Sequence, residues 1–383
     1  MPKSNRLLAA VALAPLTAAV SSMANAQSSV TLYGLVDVGV AYQSRKAGID
    51  PIAFANPTNT YNEFAMASGQ SASSRWGLKG TEDLGNGVKV NFVYESGVNV
   101  VTGDSNGFTR QSTLGLSSVK VGSIDLGRRL TPGTYAFAGI DPFDYNYNQA
   151  ALNSSMGSTN IRFSNMIAFT TASLGGVSLL GGYSFDTGLK AINSPERAAA
   201  FGTSNKFRAL SLGARYASGP MLLAAMYDIY YTPSGANSMS VKQWNIGGTY
   251  DFKIVKFHAA YGQNIDGRVN GVKVFANITT SGGDGNTSGA VYYQPGARTD
   301  QWMVGVTAPV GRSSKVFASI QQLRPGGDFM FGDRASQTAS SIGYNYRLSK
   351  RTMIYAYYSY MSAPDMYSGG SSQVLGTGVQ HKF

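Results

Sequence analysis

The chain has 383 residues, with 31 Lys and Arg against 20 Asp and Glu for a formal net charge of +11, and no cysteine. Only 13% of residues are charged and 46 are glycine, where an ordinary soluble protein has about a quarter charged residues and about 7% glycine. Disulfide scaffolds, zinc–thiolate and iron–sulfur centres and thiol chemistry are therefore excluded, and a 43% apolar content argues against a disordered chain.

Residues 1–26 read as a cleaved secretory signal peptide. Lys3 and Arg6 make a basic n-region, Leu7 to Val20 an apolar stretch containing Pro15, and Ala24-Asn25-Ala26 a small-x-small cleavage site before Gln27. Removing Lys3 and Arg6 leaves 29 basic and 20 acidic residues, so the exported chain, a single domain over residues 27–383, carries +9. The chain has no run of about 18 apolar residues, so no helical membrane span is expected.

Beyond residue 29 the pattern is strand after strand, with alternation of period two and almost no helical periodicity. The first strand is expected over residues 30–42. In 88–95 the set Val88, Val90, Phe92, Tyr94 opposes Lys89, Asn91, Val93, Glu95. Stretches 175–185, 221–231 and 299–308 alternate in the same way, the second with Asp228 on its minority face, and the last strand is expected over 373–383. One face is apolar or aromatic, the other small, polar or charged. Short connections at 83–87, 119–122, 174–176, 218–220, 251–254, 309–313 and 348–350 alternate with long ones at 43–69, 130–159, 187–205 and 265–298. Shorter stretches near Gly103, Pro233, Gly326 and Gly369 complete the set.

Strands placed between these connections number sixteen. An even strand count, with short turns at one end and long loops at the other, predicts an all-β, antiparallel transmembrane barrel with periplasmic turns and extracellular loops. Sixteen strands enclose an aqueous channel. The apolar face must then meet lipid and the polar face water, and closure is obligatory because an open edge in hydrocarbon leaves backbone groups unpaired. Tyr33, Tyr42, Tyr216, Tyr230, Tyr250, Tyr261, Tyr344 and Tyr367 lie near expected strand ends and suit interfacial girdles.

Several segments resemble the Gram-negative outer-membrane general (non-specific) diffusion porins, in their beta-proteobacterial branch. Ser29-Val30-Thr31-Leu32-Tyr33-Gly34-Leu35-Val36-Asp37 looks like that family's first strand. Residues 74–85, beginning Ser74-Arg75-Trp76-Gly77-Leu78-Lys79-Gly80, look like its second strand and first periplasmic turn. Leu126-Gly127-Arg128, Thr131-Pro132 and Asp141-Pro142-Phe143 resemble the entry to its third loop, and His381-Lys382-Phe383 its C-terminal ending. The resemblance implies a homotrimer in outer-membrane lipid and lipopolysaccharide, with Phe383 as the signal read by the barrel-assembly machinery. It also implies a third loop folded into the barrel, facing a wall of arginines at the constriction.

The matching wall positions are Arg75, Arg110, Arg162 and Arg128, with Asp141 and Asp144 as their acidic partners on the loop. Alternation agrees for Arg75, which shares parity with Lys79 opposite Trp76 and Leu78, and for Arg162, opposite Phe163, Ile167 and Phe169. Arg110 shares parity with Leu114 and Leu116, so its place rests on the resemblance. For Arg128 the two readings conflict: alternation with Ile124 and Leu126 turns Arg128 outward and Arg129 inward. The family's acidic–aromatic–Gly loop stretch is absent; Tyr145, Asn146 and Tyr147 stand there instead.

Other chemistry is sparse. His258 shares a face with Lys256 and His381 lies two residues from the terminus, with no nucleophile elbow, phosphate loop or His-x-x-x-His spacing. An outer-membrane barrel enzyme of lipase or protease type is the alternative, and a secreted soluble β-protein a weaker one. Asp284-Gly285-Asn286 offers oxygens that could touch calcium from outside, but reads better as an exposed loop because the bidentate Glu of a calcium loop does not follow. Bases are scattered along the chain without a stripe, against nucleic acid as a partner. The expected function is passive diffusion of ions and small hydrophilic solutes, without metal or cofactor and with moderate anion preference.

Overall fold

The alternating segments pair edge to edge all the way round. The computed structural model describes residues 29–46, 60–105, 107–188, 190–192, 206–231, 239–270, 290–327 and 334–383. The expected signal peptide and the Asp284–Asn286 stretch lie outside the described residues. In chain order the strands are β1 (Ser29–Lys46), β2 (Thr60–Ser68), β3 (Arg75–Gly85), β4 (Val88–Gly97), β5 (Gln111–Ser118), β6 (Gly122–Leu130), β7 (Arg162–Thr171), β8 (Val177–Ser184) and β9 (Lys190–Ile192). They continue with β10 (Arg208–Ser218), β11 (Met221–Tyr231), β12 (Ser240–Asp251), β13 (Lys256–Asn270), β14 (Ala290–Val310), β15 (Ser314–Gly327), β16 (Gln337–Arg347), β17 (Thr352–Ser362) and β18 (Ser371–Lys382).

These eighteen segments make a closed antiparallel barrel of sixteen strands. β2 and β3 are two halves of the second barrel strand. β2 pairs with the outer half of β1, from Lys46↔Thr60 to Val38↔Ser68, and β3 with the inner half, from Leu35↔Arg75 to Ser29↔Thr81. Residues 69–74 leave the ladder between them. β9 is a short piece pairing parallel with β14, outside the barrel order. β1 and β18 close the ring, from Leu35↔Lys382 to Lys46↔Ser371.

Alternation sorts the two faces as lipid and water demand. Leu32, Leu114, Leu179, Ile246, Val304, Ile342 and Leu375 are exposed on the outer face, the belt that lipid covers. The expected short turns join consecutive strands at one end. The strands β13 and β14 run further than the pattern showed, so the connection expected over 265–298 begins only after Asn270 and ends before Ala290. Tyr42, Tyr250, Tyr261 and Tyr344 are exposed on the outer face, whereas three other tyrosines depart from the girdle. Tyr33 points inward to Glu95, Tyr230 is buried against Phe163, and Tyr367 lies under the Arg334 guanidinium in a loop.

The interior is not uniformly polar, because the connection from β6 to β7 fills part of it. Phe137, Ile140, Leu152 and Met156 of that connection pack on Leu222, Ala224 and Met226 of β11, Ala260 of β13 and Met303 of β14. The inward set of β11 is therefore largely apolar, a consequence of what it faces rather than of water.

Candidate functional site

The inward segment is the third long loop. It leaves β6 through Thr131, whose Oγ1 accepts a 3.1 Å bond from the Thr134 amide and caps the short helix α1 (Pro132–Phe137), with Pro132 at its first turn. The helix seats directly on the wall. A Cβ on Gly213 of β10 would stand 2.7 Å from the Ala136 Cβ, so only a glycine lets the two backbones approach this closely. Arg215 of β10 donates from Nη1 to the carbonyls of Ala136 and Ala138, placing a cation on the unsatisfied C-terminal end of the helix.

Beyond the helix the loop is stitched to the opposite wall by wall amides and hydroxyls that meet its backbone. Gln321 donates to the carbonyls of Ala150 and Ala151, both at 3.1 Å, and accepts from Ser155 Oγ at 2.6 Å. Gln337 donates to Ser154 O at 2.8 Å, and Gln149 reaches back to Ser359 O and Ser372 O. Phe143 and Tyr147 close edge-on with Phe317, Tyr355 and Tyr357. Asp37 of β1 fastens the break in the second strand: its carboxylate accepts from the amides of Ser71 and Ala72 and from Tyr355 Oη at 2.6 Å. The Tyr147 amide then donates to Gln70 O at 2.6 Å. The loop is thus fastened along β10–β18 and at Gln70 in the break between β2 and β3, leaving β3–β7 as the front wall.

On that front wall Glu95 of β4 sits between two guanidinium groups. Arg110 Nε lies 2.7 Å from Glu95 Oε1 and Arg75 Nε 3.5 Å from Glu95 Oε2. Tyr33 Oη donates to the same carboxylate at 3.0 Å. Arg75 faces inward as alternation requires. Arg110 precedes β5 by one residue, so the ladder does not dictate its side and its backbone amide instead bonds Glu95 O. The parity shared with Leu114 and Leu116 therefore carries no information there.

Arg162 and Arg128 flank an irregularity. The pairing of β6 with β7 shifts between Gly127↔Met166 and Arg129↔Phe163, with Asn165 at φ 47°. Ile167 and Phe169 face outward as expected, but Phe163 is fully buried inside and does not share their outer face. Arg162, at the start of β7, is buried with its charge acting on those of Arg110, Glu95 and Arg128. Arg129 follows alternation inward, where it pairs with Asp125 and stacks 4.5 Å over the Tyr135 ring. Arg128, released by the shift, donates to Thr109 O and, at 2.8 Å, to Ser164 Oγ. Among the described residues Arg128 has no carboxylate within ion-pair distance.

The two loop acids are placed differently from the expectation that they pair with these arginines. Asp141 is buried inside the loop, where its oxygens accept from the amides of Phe143, Tyr145 and Leu152 at 2.8–2.9 Å. Burial outweighs these donors and pushes its carboxyl up to about 7. Asp144 is exposed and lies 4.0 Å from Lys315 on the far wall. Both acids stand on the loop, but the carboxylate that meets the arginines is Glu95, on the same wall. Its signal was present in the alternation of β4, which put it on the inward face. Arg215 and Asp37 carried no comparable signal, since their partners are more than seventy and three hundred residues away for the helix and Tyr355 contacts.

Known proteins agree with this geometry. The family model described as Gram-negative porin matches residues 9–365. An outer membrane porin protein of Bordetella pertussis is 35% identical over 382 residues, covering 97% of this chain and 98% of the relative. Outer membrane porin protein 32 of Delftia acidovorans is 28% identical, covering 97% and 99%. The fold matches the anion-selective porin from Comamonas acidovorans with a TM-score of 0.68 at 24% identity, covering 93% of this chain and all of that one. With a closed sixteen-stranded barrel, a lipid-ready outer belt and a loop narrowing the lumen, the chain belongs to the Gram-negative porin family and forms a channel in the outer membrane.

Proposed function

We propose that the channel is a moderately anion-selective, homotrimeric diffusion pore for ions and small hydrophilic solutes, exported through cleavage after Ala26 and embedded beside lipopolysaccharide. One observation carries the selectivity: Arg75, Arg110, Arg128 and Arg162 gather on one wall of the constriction with Glu95 as the carboxylate among them. Arginine stays protonated at any working pH, and low-dielectric walls focus its field into the water path. An anion about 6 Å from one guanidinium gains roughly 2–3 kcal/mol at an effective dielectric of about 20. The Comamonas acidovorans porin with the matching fold is itself described as anion-selective.

The trimer is supported by the outer face of the first strands, where Val30, Leu32, Val36 and Leu114 are exposed and Gly34 lies on the same face as Leu32 and Val36; Gly115, alternating with outward Leu114 and Leu116, turns inward to Asp125 instead. Assembly of the barrel through its machinery fits the terminal aromatic Phe383. Planar-bilayer recording tests the reading: a salt gradient should give a reversal potential on the anion side, with conductance steps in threes. A cation-side potential would overturn the selectivity, and single steps with a monomer on an unheated gel would overturn the trimer.

A further inference from the structure

We propose that the inner mouth of the channel is a binding site for compact multivalent oxyanions. The proposal rests on the reading of the lumen as an anion path and extends it to a second place. A cavity of about 710 Å³ opens at the end that carries the short turns, bounded on one side by Pro142, Asp144 and Tyr147 of the inward loop. Four bases reach it from the barrel wall and three from turns, against one acid, Asp144.

The register explains why bases that look scattered in the sequence meet here. Lys315 of β15 shares a face with buried Phe317 and pairs with Asn345 of β16; Arg347 is two residues beyond Asn345 on the same face and pairs with Met353 of β17. Met353 pairs with buried Gln380 of β18, and Lys382, two residues on, pairs with buried Leu35 of β1. Leu35 in turn pairs with Arg75. Lys315, Arg347, Lys382 and Arg75 therefore all point inward on neighbouring strands. Arg312 from the turn between β14 and β15, with Lys350 and Arg351 from the turn between β16 and β17, completes the girdle. An adjoining cavity of about 320 Å³ adds Lys253 and Lys256 with one acid, Asp251.

These charges are not spent on one another's partners. Among the described residues no carboxylate lies within 4.0 Å of Arg312, Arg347, Lys350, Arg351 or Lys382, and Lys315 meets Asp144 only at 4.0 Å. Several cations converging on one water-filled volume repel each other, and an anion that bridges two or more of them relieves that repulsion. Attraction grows with the charge of the anion, and Arg and Lys donate well to phosphate and carboxylate oxygens. Chloride gains from one neighbour at a time, whereas a diphosphate spans several. Such an anion, after passing the arginine wall, is held at the inner mouth and obstructs the chloride current. Because the site is open to solvent, its hold weakens as ionic strength rises.

Inorganic pyrophosphate added to either side of a bilayer holding channels inserted in one direction tests this, with chloride carrying the current. We expect block at lower concentration from the side of the short turns. Lys315→Gln with Arg347→Gln should raise the half-blocking concentration at least about tenfold, the factor equivalent to 1.4 kcal/mol. Asp144→Asn should lower it. Gel mobility before and after heating checks that both variants fold, and calorimetric titration of pyrophosphate into the detergent-solubilised channels gives the same ranking without current. An unchanged half-blocking concentration in the folded double variant, or no block of the wild type from either side, overturns the proposal. A cation-selective wild type still blocked from the inner side would sink the selectivity reading and leave the inner site standing; an anion-selective one without block would do the reverse.

Discussion

On the proposed reading, Glu95 sets how much of the arginine charge is left for the solute. It accepts from Arg110 and Tyr33 and pairs with the Arg75 charge, so it both holds the side chains in place and cancels one unit of charge. Glu95→Gln keeps an oxygen that can accept from Arg110 and Tyr33 but removes the negative charge. The reversal potential should move further to the anion side, at a stability cost of roughly 1–3 kcal/mol for the weakened buried bonds; a shift toward cations would mean that Glu95 does not belong to the field felt by the ion. Asp141 gives a second test, of the loop rather than of the current. Its carboxyl is raised to about 7 by burial, above the ordinary aspartate value of about 3.9. A raised acid contributes its full stability below the lower of these values and loses it as pH climbs through the higher one. The thermal unfolding temperature should therefore fall from about pH 4 to about pH 7, and Asp141→Asn, which cannot ionise, should flatten that slope. An identical slope in the variant would remove Asp141 as its source.

At the scale of elements, the decisive feature is a six-residue helix pressed onto a sheet. Gly213 makes room for Ala136, and Arg215 holds the helix end. Gly213→Leu should force the helix off the wall, costing about 1–3 kcal/mol as overpacking does, and change single-channel conductance while the barrel still forms; unaltered conductance and noise would show that the seat does not set the aperture. The alternation of the chain placed most strands, the short turns and the outward belt, because lipid imposes one rule on every strand, but it missed β2, which lies inside the connection expected over 43–69. It failed wherever the loop, rather than water, faces the wall. Phe163, Tyr230, Met226 and Leu222 are apolar and inward, and no period-two rule separates that from an outward apolar residue. The arginines were legible only in part for a related reason. Arg75 sits in a regular ladder and follows its parity, but Arg110 precedes its strand and Arg128 borders a register shift, and parity has no meaning outside a ladder.

The whole molecule depends on closing the ring. Phe383 meets Gly34 through two backbone bonds, Gly34 N to Phe383 O at 3.2 Å and Phe383 N to Gly34 O at 3.1 Å, and its ring covers the space where a Gly34 side chain would stand. Deleting Phe383 removes those bonds at the seam between the first and last strands, where an unpaired edge in hydrocarbon is costly. Folded, heat-modifiable barrel should drop more than for a comparable change in an outer loop, and Gly34→Val should reproduce part of the loss by displacing the ring. Normal levels of folded protein in both would detach the seam from assembly. Closure also joins distant parts of the chain into one electrostatic object. The front wall carries Arg75, Arg110, Arg128 and Arg162 against Glu95, while Asp141 is enclosed and Asp144 looks toward Lys315. On the proposed reading the field at the constriction is thus positive on the wall of β3–β7, with Glu95 rather than the loop acids as its counter-charge.

The measurement that bears most directly on this account is the reversal potential of Arg75→Ser with Arg162→Ser beside the wild type, in a sodium chloride gradient at low and high salt. The wild type should prefer anions, the preference should fade as the Debye length shrinks to about 3 Å at 1 M, and the double variant should move toward cations with folded protein retained. A wild type that prefers cations, or a folded double variant whose reversal potential stays where it was, would contradict the arginine wall as the source of selectivity.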